Sequence, residues 1–205
     1  MSESFSIQLQ NRQQQGRDGV WLDLPTTTEQ VQAALRQIGI SSDNPQGLFI
    51  SGYFAEEEKR FAISYNMVLA SSVDELNFLA ARLETLSAGE RAELNAALQA
   101  PQSELSSIGK MTDFPENVEY YVHLPDVRGP AQLGDYYLNR SGMVDMPEEW
   151  KGGIDTAQFG RYVAQQEQGA FTQYGYLVKS GDEWQKVHEG QPVPEEYRVL
   201  SFPAP

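Results

Sequence analysis

Sequence signatures of helix N-termini recur along this chain. They constrain its fold more than any other feature of the sequence. Ser72-Val73-Asp74-Glu75 and Ser87-Ala88-Gly89-Glu90 each place a serine three residues before a glutamate, and Thr26-Thr27-Thr28-Glu29 does the same with threonine. In such a capping box, the hydroxyl oxygen accepts from a backbone N–H of the first turn and the glutamate reaches back to the cap. Apolar residues follow each box at helical spacing. We therefore expect a helix to begin at each of the three places.

Segments with strand-like alternation lie on either side of these helices. Phe5, Ile7 and Leu9 alternate with polar residues, and a predicted turn at residues 13–19 separates them from the apolar run Val20–Leu24. A period of two residues is typical of a half-buried strand, and glycine is typical of a turn. Further strands are predicted at residues 47–54, 60–65, 118–124, 171–178, 184–188 and 197–202.

The order of these segments predicts an α+β fold. Gly39 and Gly169 are placed to end helices, Pro130 to begin one and Asp155 to cap another. Residues 101–117 are rich in Ser, Pro, Gly and Asn and are interpreted as a linker. We expect an elongated chain of three small domains: an N-terminal small sheet plus helix at 1–66, a middle helical domain at 67–112 and a C-terminal α+β domain at 113–205.

Acidic residues outnumber basic ones along the whole chain. The sequence has 29 Asp and Glu against 15 Lys and Arg, for a net charge of −14. Residues 1–66 carry 8 acids and 5 bases, residues 67–115 carry 7 and 3, and residues 116–205 carry 14 and 7. Such a chain repels nucleic acid and anionic membranes and is attracted to basic surfaces. Acidity of this kind also serves ordinary solubility, so charge alone does not assign a function.

Catalytic and cofactor-binding patterns are missing from the sequence. It contains no cysteine, which excludes disulfides, thiolate metal sites and cysteine nucleophiles. His123 and His188 are its only histidines, and neither has a second histidine at metal-ligand spacing. There is no GxSxG elbow, phosphate loop or GxGxxG. We therefore expect no enzyme activity, no catalytic residue, no metal and no cofactor.

Targeting signals are missing as well. Residues 1–5 lack the basic and apolar regions of a signal peptide, and no apolar stretch approaches the ~20 residues that a membrane span requires. A cytoplasmic location is expected.

Several segments together resemble the ArdA-type antirestriction family. Asn11–Leu24, with its glycine turn, and the predicted helix after it are similar to the family's opening hairpin and helix, and Val73–Leu83 is similar to a helix of its middle region. Leu133–Tyr137, Met146–Trp150 and Ile154–Tyr162 follow in the family's order and resemble its antirestriction motif. That motif has a leucine–proline start, an acidic residue that opens a helix, and then aromatic–glycine–arginine.

Two positions depart from the family's pattern. Tyr162 stands where the family usually has an aspartate, and Met146 replaces the usual leucine. Residues 180–205 lie beyond the motif. The motif also has a purely structural interpretation, in which Asp155 caps a helix, Phe159 and Tyr162 are core residues and Gly160 permits close packing.

The resemblance implies a DNA mimic. Members of the family are elongated homodimers of three small domains, whose surface acids imitate the phosphates of bent duplex DNA. They occupy the DNA-binding groove of type I restriction–modification enzymes and so protect an incoming plasmid or conjugative transposon. The candidate partner-binding acids are Asp74, Glu75, Glu84, Glu90, Glu93, Asp126, Asp135, Asp145, Glu148, Glu149, Asp155 and Glu167, and the motif residues are Pro147, Ile154, Phe159, Gly160 and Arg161.

Two other functions remain open at this point. The chain is alternatively an acidic adaptor that binds another basic DNA-handling protein, which predicts salt-sensitive binding without any effect on restriction. More remotely, it is a hydrolase with paired carboxylates, which predicts a concave pocket holding a carboxyl group of raised pKa.

Overall fold

A computed structural model of the protein describes residues 4–14, 18–56 and 61–204. Mixed α+β architecture is confirmed, with two small antiparallel sheets. The strands are β1 (Phe5–Asn11), β2 (Val20–Leu24), β3 (Leu48–Phe54), β4 (Tyr121–Leu124), β5 (Ala170–Thr172) and β6 (Gly175–Lys179). The α-helices in the described residues are α1 (Thr28–Gln37), α2 (Tyr65–Leu69), α3 (Val73–Glu84), α4 (Ala88–Gln99), α5 (Ile108–Thr112), α6 (Pro130–Asp135), α7 (Glu148–Lys151) and α8 (Thr156–Glu167).

The chain forms two compact units. The first unit comprises Met1–Leu86, Leu105–Glu116 and Lys186–Pro205, and the second comprises Ser87–Glu104 and Asn117–Gln185. The division into three domains and the elongated shape stay predictions.

The first unit is built around the sheet β2-β1-β3. Strand β1 is central and pairs antiparallel with both neighbours. Its alternate residues Phe5, Ile7 and Leu9 are buried, as their spacing predicted. Helices α1 and α3 contact β2, and α2 contacts β3. The β1–β2 hairpin is thus confirmed, although residues 15–17 of its predicted turn lie outside the described residues.

Most of the predicted helix boundaries are confirmed. The Ser72–Glu75 and Ser87–Glu90 boxes begin α3 and α4. The carboxylate of Asp155 accepts from two backbone N–H groups at the start of α8. Gly39 follows α1 with a φ of 67°, a left-handed conformation that glycine adopts readily, and Ile40 after it is buried.

The capping box of α1 lies one residue later than predicted. Its hydroxyl comes from Thr27 and its amide from Gln30, so the predicted pair of Thr26 and Glu29 was wrong. Thr26 is buried instead, where its backbone N–H donates to Asn77 Oδ1 at 2.7 Å. Any of three consecutive threonines can cap a helix, and this long-range hydrogen bond selects the second.

Residues 101–117 are not a linker. The segment contains α5 and buries Ile108, Met111 and Phe114 in the first unit. Residues 61–64 are not a strand either, although Phe61 and Ile63 are buried, and α2 begins at Tyr65. Residue 60 of that predicted strand lies outside the described residues.

The predictions for the C-terminal segment were partly wrong. Residues 171–178 form the two strands β5 and β6 joined by a tight turn, not one strand. Residues 184–188 and 197–202 form no strand. Side chains form hydrogen bonds with the backbone there instead. Asn117 Nδ2 donates to the Gln185 carbonyl at 2.9 Å, and Asn117 Oδ1 accepts from the Gln185 N–H at 2.7 Å. Strand-like composition therefore does not produce a strand here, because side chains take the place of a sheet partner.

Two glycines bring α6 and α8 of the second unit into backbone contact. A Cβ atom on Gly160 would lie 1.8 Å from the Pro130 carbonyl oxygen, and one on Gly134 would lie 1.9 Å from the Thr156 carbonyl oxygen. Both glycines are buried, and the two helices enclose a core of Val127, Leu133, Ala164 and Tyr176. The close packing expected of Gly160 is confirmed.

Helix α8 ends differently from the prediction. The left-handed residue is Gln168, with a φ of 55°, and not Gly169. Gly169 is needed for space, because a Cβ atom there would lie 1.9 Å from the hydroxyl of the buried Tyr176.

We predict that Gly160→Ala destabilises the protein by at least about 1–3 kcal/mol, because the methyl group forces two helix backbones apart. Gly89→Ala is the matched control: it lies in α4, with no atom within 4 Å of its Cβ position, and should stabilise the fold by up to about 1 kcal/mol. Urea unfolding measures both. A Gly160→Ala variant as stable as the wild type would contradict the packing argument.

Candidate partner-binding surface

Three of the predicted partner-binding acids are fixed at helix N-termini. Glu75 Oε2 accepts from the Ser72 N–H at 2.8 Å, and Glu90 Oε2 accepts from the Ser87 N–H at 2.6 Å. Asp155 Oδ1 accepts from the backbone N–H groups of residues 157 and 158 at 2.9 and 3.0 Å. Hydrogen bonds from the Ser87 side chain and backbone lower the pKa of Glu90, which keeps that carboxylate charged. Glu75 and Asp155 remain exposed, so each can cap a helix and still face a partner.

Asp74 has an internal role. Its Oδ1 accepts from the backbone N–H groups of Val199 and Leu200 at 2.8 and 2.7 Å. Asn77, one turn further along α3, donates to the Tyr197 carbonyl at 3.1 Å. Asp74 and Asn77 together hold residues 197–200 against α3 within the first unit.

Asp113 holds residues 187–189 in the first unit in a similar way. The sequence analysis did not single out this residue. Its carboxyl group is fully buried and accepts from the N–H groups of Val187, His188 and Glu189 at 3.2, 2.6 and 3.2 Å. Apolar residues three apart at positions 108, 111 and 114 were the available signal that this stretch packs as a helix.

Glu167 is engaged within the second unit. Its two carboxylate oxygens accept from the hydroxyls of Tyr137 and Tyr176. Burial, followed by these hydrogen bonds, raises the pKa of both tyrosines well above the usual range, so both stay protonated donors. Glu167 thereby links the end of α8 to the core of the second unit.

Glu93 is the acid whose ionisation the fold opposes most clearly. Burial, with a smaller contribution from the charge of Glu90, raises the pKa of Glu93 to about 7. Its Oε1 is buried and accepts no hydrogen bond from the described residues, and the same holds for Oε1 of Glu84. Asp135 is half-buried and pairs with Arg140 at 3.0 Å.

The remaining predicted acids lie at the surface of the second unit. Asp126, Asp145, Glu148 and Glu149 are exposed, and Glu148 pairs with Lys151 at 2.6 Å. Other exposed acids were not singled out from the sequence, among them Asp18, Asp23, Glu29, Asp43, Glu56, Glu116, Glu119, Asp182, Glu183, Glu195 and Glu196. Outward strand positions and turns were the signal for several of these.

The motif residues divide between packing and surface. Besides Gly160, Ile154 and Phe159 are half-buried, whereas Pro147 and Arg161 are exposed. The expectation that Tyr162 is a core residue was wrong, because its side chain is 60% exposed. Tyr162 follows Gly160 by two residues, which turns it about 200° around the helix from the buried glycine face.

This α+β fold, with its many exposed acids and its glycine-packed motif helices, defines an acidic protein built from two small sheets and short helices. A family model for antirestriction protein (ArdA) matches residues 15–178. The chain belongs to the ArdA antirestriction family. The comparison with curated proteins gives no match.

Two features are absent from the described residues. No three His, Asp or Glu side chains among them converge as metal ligands would. No helix in the same part of the chain has the length and apolar character needed to cross a membrane.

We predict that Asp113→Asn destabilises the protein by about 2–3 kcal/mol, because a buried amide cannot accept from all three N–H groups. Hydrogen exchange at residues 187–189 should accelerate along with it. Asp43→Asn removes the same charge from an exposed position of the first unit and should stay within about 0.5 kcal/mol of the wild type. Equal effects of the two variants in urea unfolding would contradict the internal role of Asp113.

We predict that Glu93→Gln stabilises the protein more at pH 8 than at pH 5. The folded chain keeps the Glu93 proton up to about pH 7, whereas the unfolded chain releases it near 4.5. Unfolding therefore releases a proton between these values, and stability falls as pH rises through them. Glutamine removes this loss, which amounts to roughly 1 kcal/mol after solvent screening. Glu149→Gln is the exposed control in thermal melts, and an equal pH response in both variants would contradict the prediction.

Proposed function

We propose that this protein inhibits type I restriction–modification enzymes by occupying their DNA-binding groove as a DNA mimic. Membership of the antirestriction family supports the inhibition of restriction, and the distribution of charge supports DNA mimicry as its mechanism. The first unit carries 16 acids and 9 bases and the second carries 13 and 6, so each unit has a net charge of −7. A partner that follows the protein surface would meet negative charge on both units.

The amount of charge suits a short length of duplex. DNA carries one charge per ~1.7 Å of axis, so a net −14 corresponds to ~24 Å of duplex, and a homodimer corresponds to about twice that. We infer that the protein acts as a homodimer, since the ~24 Å matched by one chain is shorter than one helical turn of duplex, which is about 34 Å. The large exposed side chains of Met143, Trp150 and Tyr162 in the second unit favour a protein contact there.

The mimic surface consists of exposed acids in this proposal. Of the acids singled out from the sequence, the mimic surface includes the six exposed ones: Glu75, Asp126, Asp145, Glu148, Glu149 and Asp155. Asp74, Glu84, Glu90, Glu93, Asp135 and Glu167 are half-buried, so each presents less of its charge to a partner. The backbone hydrogen bonds to Glu75 and Asp155 hold their carboxylates in place before binding, which lowers the entropy cost of association.

The protein acts by occupancy, without catalysis, in this proposal. Its carboxylates displace counterions and DNA from a basic groove, and no bond in any substrate changes. Because restriction takes place in the cytoplasm, the protein acts there, where it protects newly entered mobile DNA such as a conjugative transposon.

The test is DNA cleavage by a purified type I restriction enzyme, with the protein titrated at several salt concentrations. We predict inhibition at a fixed stoichiometry that fades steeply as salt rises, because binding is driven by counterion release. Glu149→Gln alone should change inhibition less than about threefold, as expected for one surface charge among many. Asp145→Asn combined with Glu148→Gln and Glu149→Gln should lower the salt slope by up to about three, one for each lost contact.

Arg128→Gln is the control of opposite sign. It removes an exposed base of the second unit and should not weaken inhibition. Complete loss of inhibition on Glu149→Gln would contradict distributed mimicry. No inhibition of any type I enzyme, together with salt-sensitive binding to another basic DNA-handling protein, would favour the acidic adaptor.

A further inference from the structure

The outer face of the first sheet carries an aromatic pair that the fold leaves exposed. Trp21 on β2 and Phe54 on β3 have 49% and 53% of their surfaces exposed. Their rings meet edge to face, with centroids 6.3 Å apart at an interplanar angle of 73°. Aromatic pairs prefer this arrangement, but half of their apolar surface stays in water.

The strand register explains how residues from the two edge strands meet. Trp21 lies opposite Gln8 and Gln8 opposite Gly52, which makes one row across the sheet. A Cβ atom on Gly52 would lie 3.0 Å from Cη2 of Trp21, so the glycine leaves room for the indole to lie across β1. The indole therefore lies against the outer face of the sheet, next to Gly52.

Carboxylates adjoin this aromatic pair. The next row of the sheet contains Asp23, Ser6 and Phe54, and the Ser6 hydroxyl donates to Asp23 Oδ1 at 2.6 Å. Asp23, Phe54 and the exposed Glu56 line a cleft of 170 Å³ at the same end of the sheet. A negatively charged cleft beside aromatic rings suits a cation with a flat or apolar body.

The same sheet already binds one cation of this kind from its own chain. The guanidinium carbon of Arg12 lies 5.2 Å from the centroid of the Phe49 ring. Arg12 follows the opposite end of β1 from Ser6, roughly 20 Å away at the rise of a strand. Over Trp21 and Phe54, no Lys or Arg of the described part of the chain takes this position.

We propose that Trp21 and Phe54, with Asp23, form a docking site for an arginine or lysine side chain from the basic groove of the partner enzyme. This inference rests on the proposed function and adds to it a contact that phosphate mimicry does not provide. The cation would lie against the aromatic rings and pair with the Asp23 carboxylate. Desolvated aromatic anchors contribute affinity that salt does not screen, in contrast to exposed charge pairs.

The experiment measures binding of the wild type and variants to a purified type I restriction enzyme at four salt concentrations. Trp21→Ala and Phe54→Ala are each expected to weaken binding at least tenfold at every salt concentration, with an unchanged slope of log K against log salt. Asp23→Asn is expected to lower that slope by about one. Trp21→Phe, which keeps a ring, should restore most of the affinity lost in Trp21→Ala.

Val122→Ala is the matched control, since it truncates an exposed strand residue of the second sheet, and thermal melts confirm that each variant is folded. If Trp21→Ala is unfolded, the docking site is tested with Phe54→Ala and Trp21→Phe. Wild-type affinity in Phe54→Ala, or an equal loss in Val122→Ala, would overturn the docking site while leaving DNA mimicry intact. A wild-type protein that neither binds nor inhibits any type I enzyme would overturn the proposed function, and this inference with it.

Discussion

Hydrogen bonds from backbone N–H groups to carboxylates hold this acidic chain together. Such bonds begin α3, α4 and α8, where an acid at the cap or in the first turn also interacts favourably with the positive end of the helix. They also hold non-helical backbone inside the first unit, through Asp74 and Asp113. In each case an acid gains a partner without requiring a base. In a protein with 29 acids and only 15 bases, at least 14 acids have no cation to pair with one to one, so this interaction is an important source of partners for them.

Local chemistry is what the sequence predicted well. Serine–glutamate boxes, an aspartate cap and Gly39 after α1 each act within a few residues, so their consequences can be inferred without the rest of the fold. The prediction at Thr26 was wrong by one residue because three threonines compete locally, and the distant Asn77 decides among them. Features that depend on residues far apart in the sequence were beyond such inference.

The C-terminal segment shows the same limit more strongly. Residues 184–188 and 197–202 have strand-like composition, yet their backbone groups bond to the side chains of Asn117, Asp113 and Asp74, which lie 68 to 126 residues earlier. Only the folded chain brings these groups together. For the same reason Asp74 was predicted to lie at the surface and Asp113 was not singled out, since nothing in the sequence distinguishes a carboxylate inside the fold from one at the surface.

The division of the acids into two groups bears directly on mimicry. A carboxylate that is half-buried and already accepts hydrogen bonds cannot present its charge fully to a partner, and Glu93, with a pKa of about 7, is only partly ionised at neutral pH. The formal net charge therefore overstates the electrostatic field that a partner meets. The exposed acids contribute most of that field. Charges of that kind interact weakly one by one and are screened by salt. A groove that normally holds DNA binds it through the same screened contacts, so a competitor built from carboxylates alone gains no advantage as salt rises. An apolar contact such as the Trp21–Phe54 pair would supply that advantage, because its contribution persists when the charges are screened.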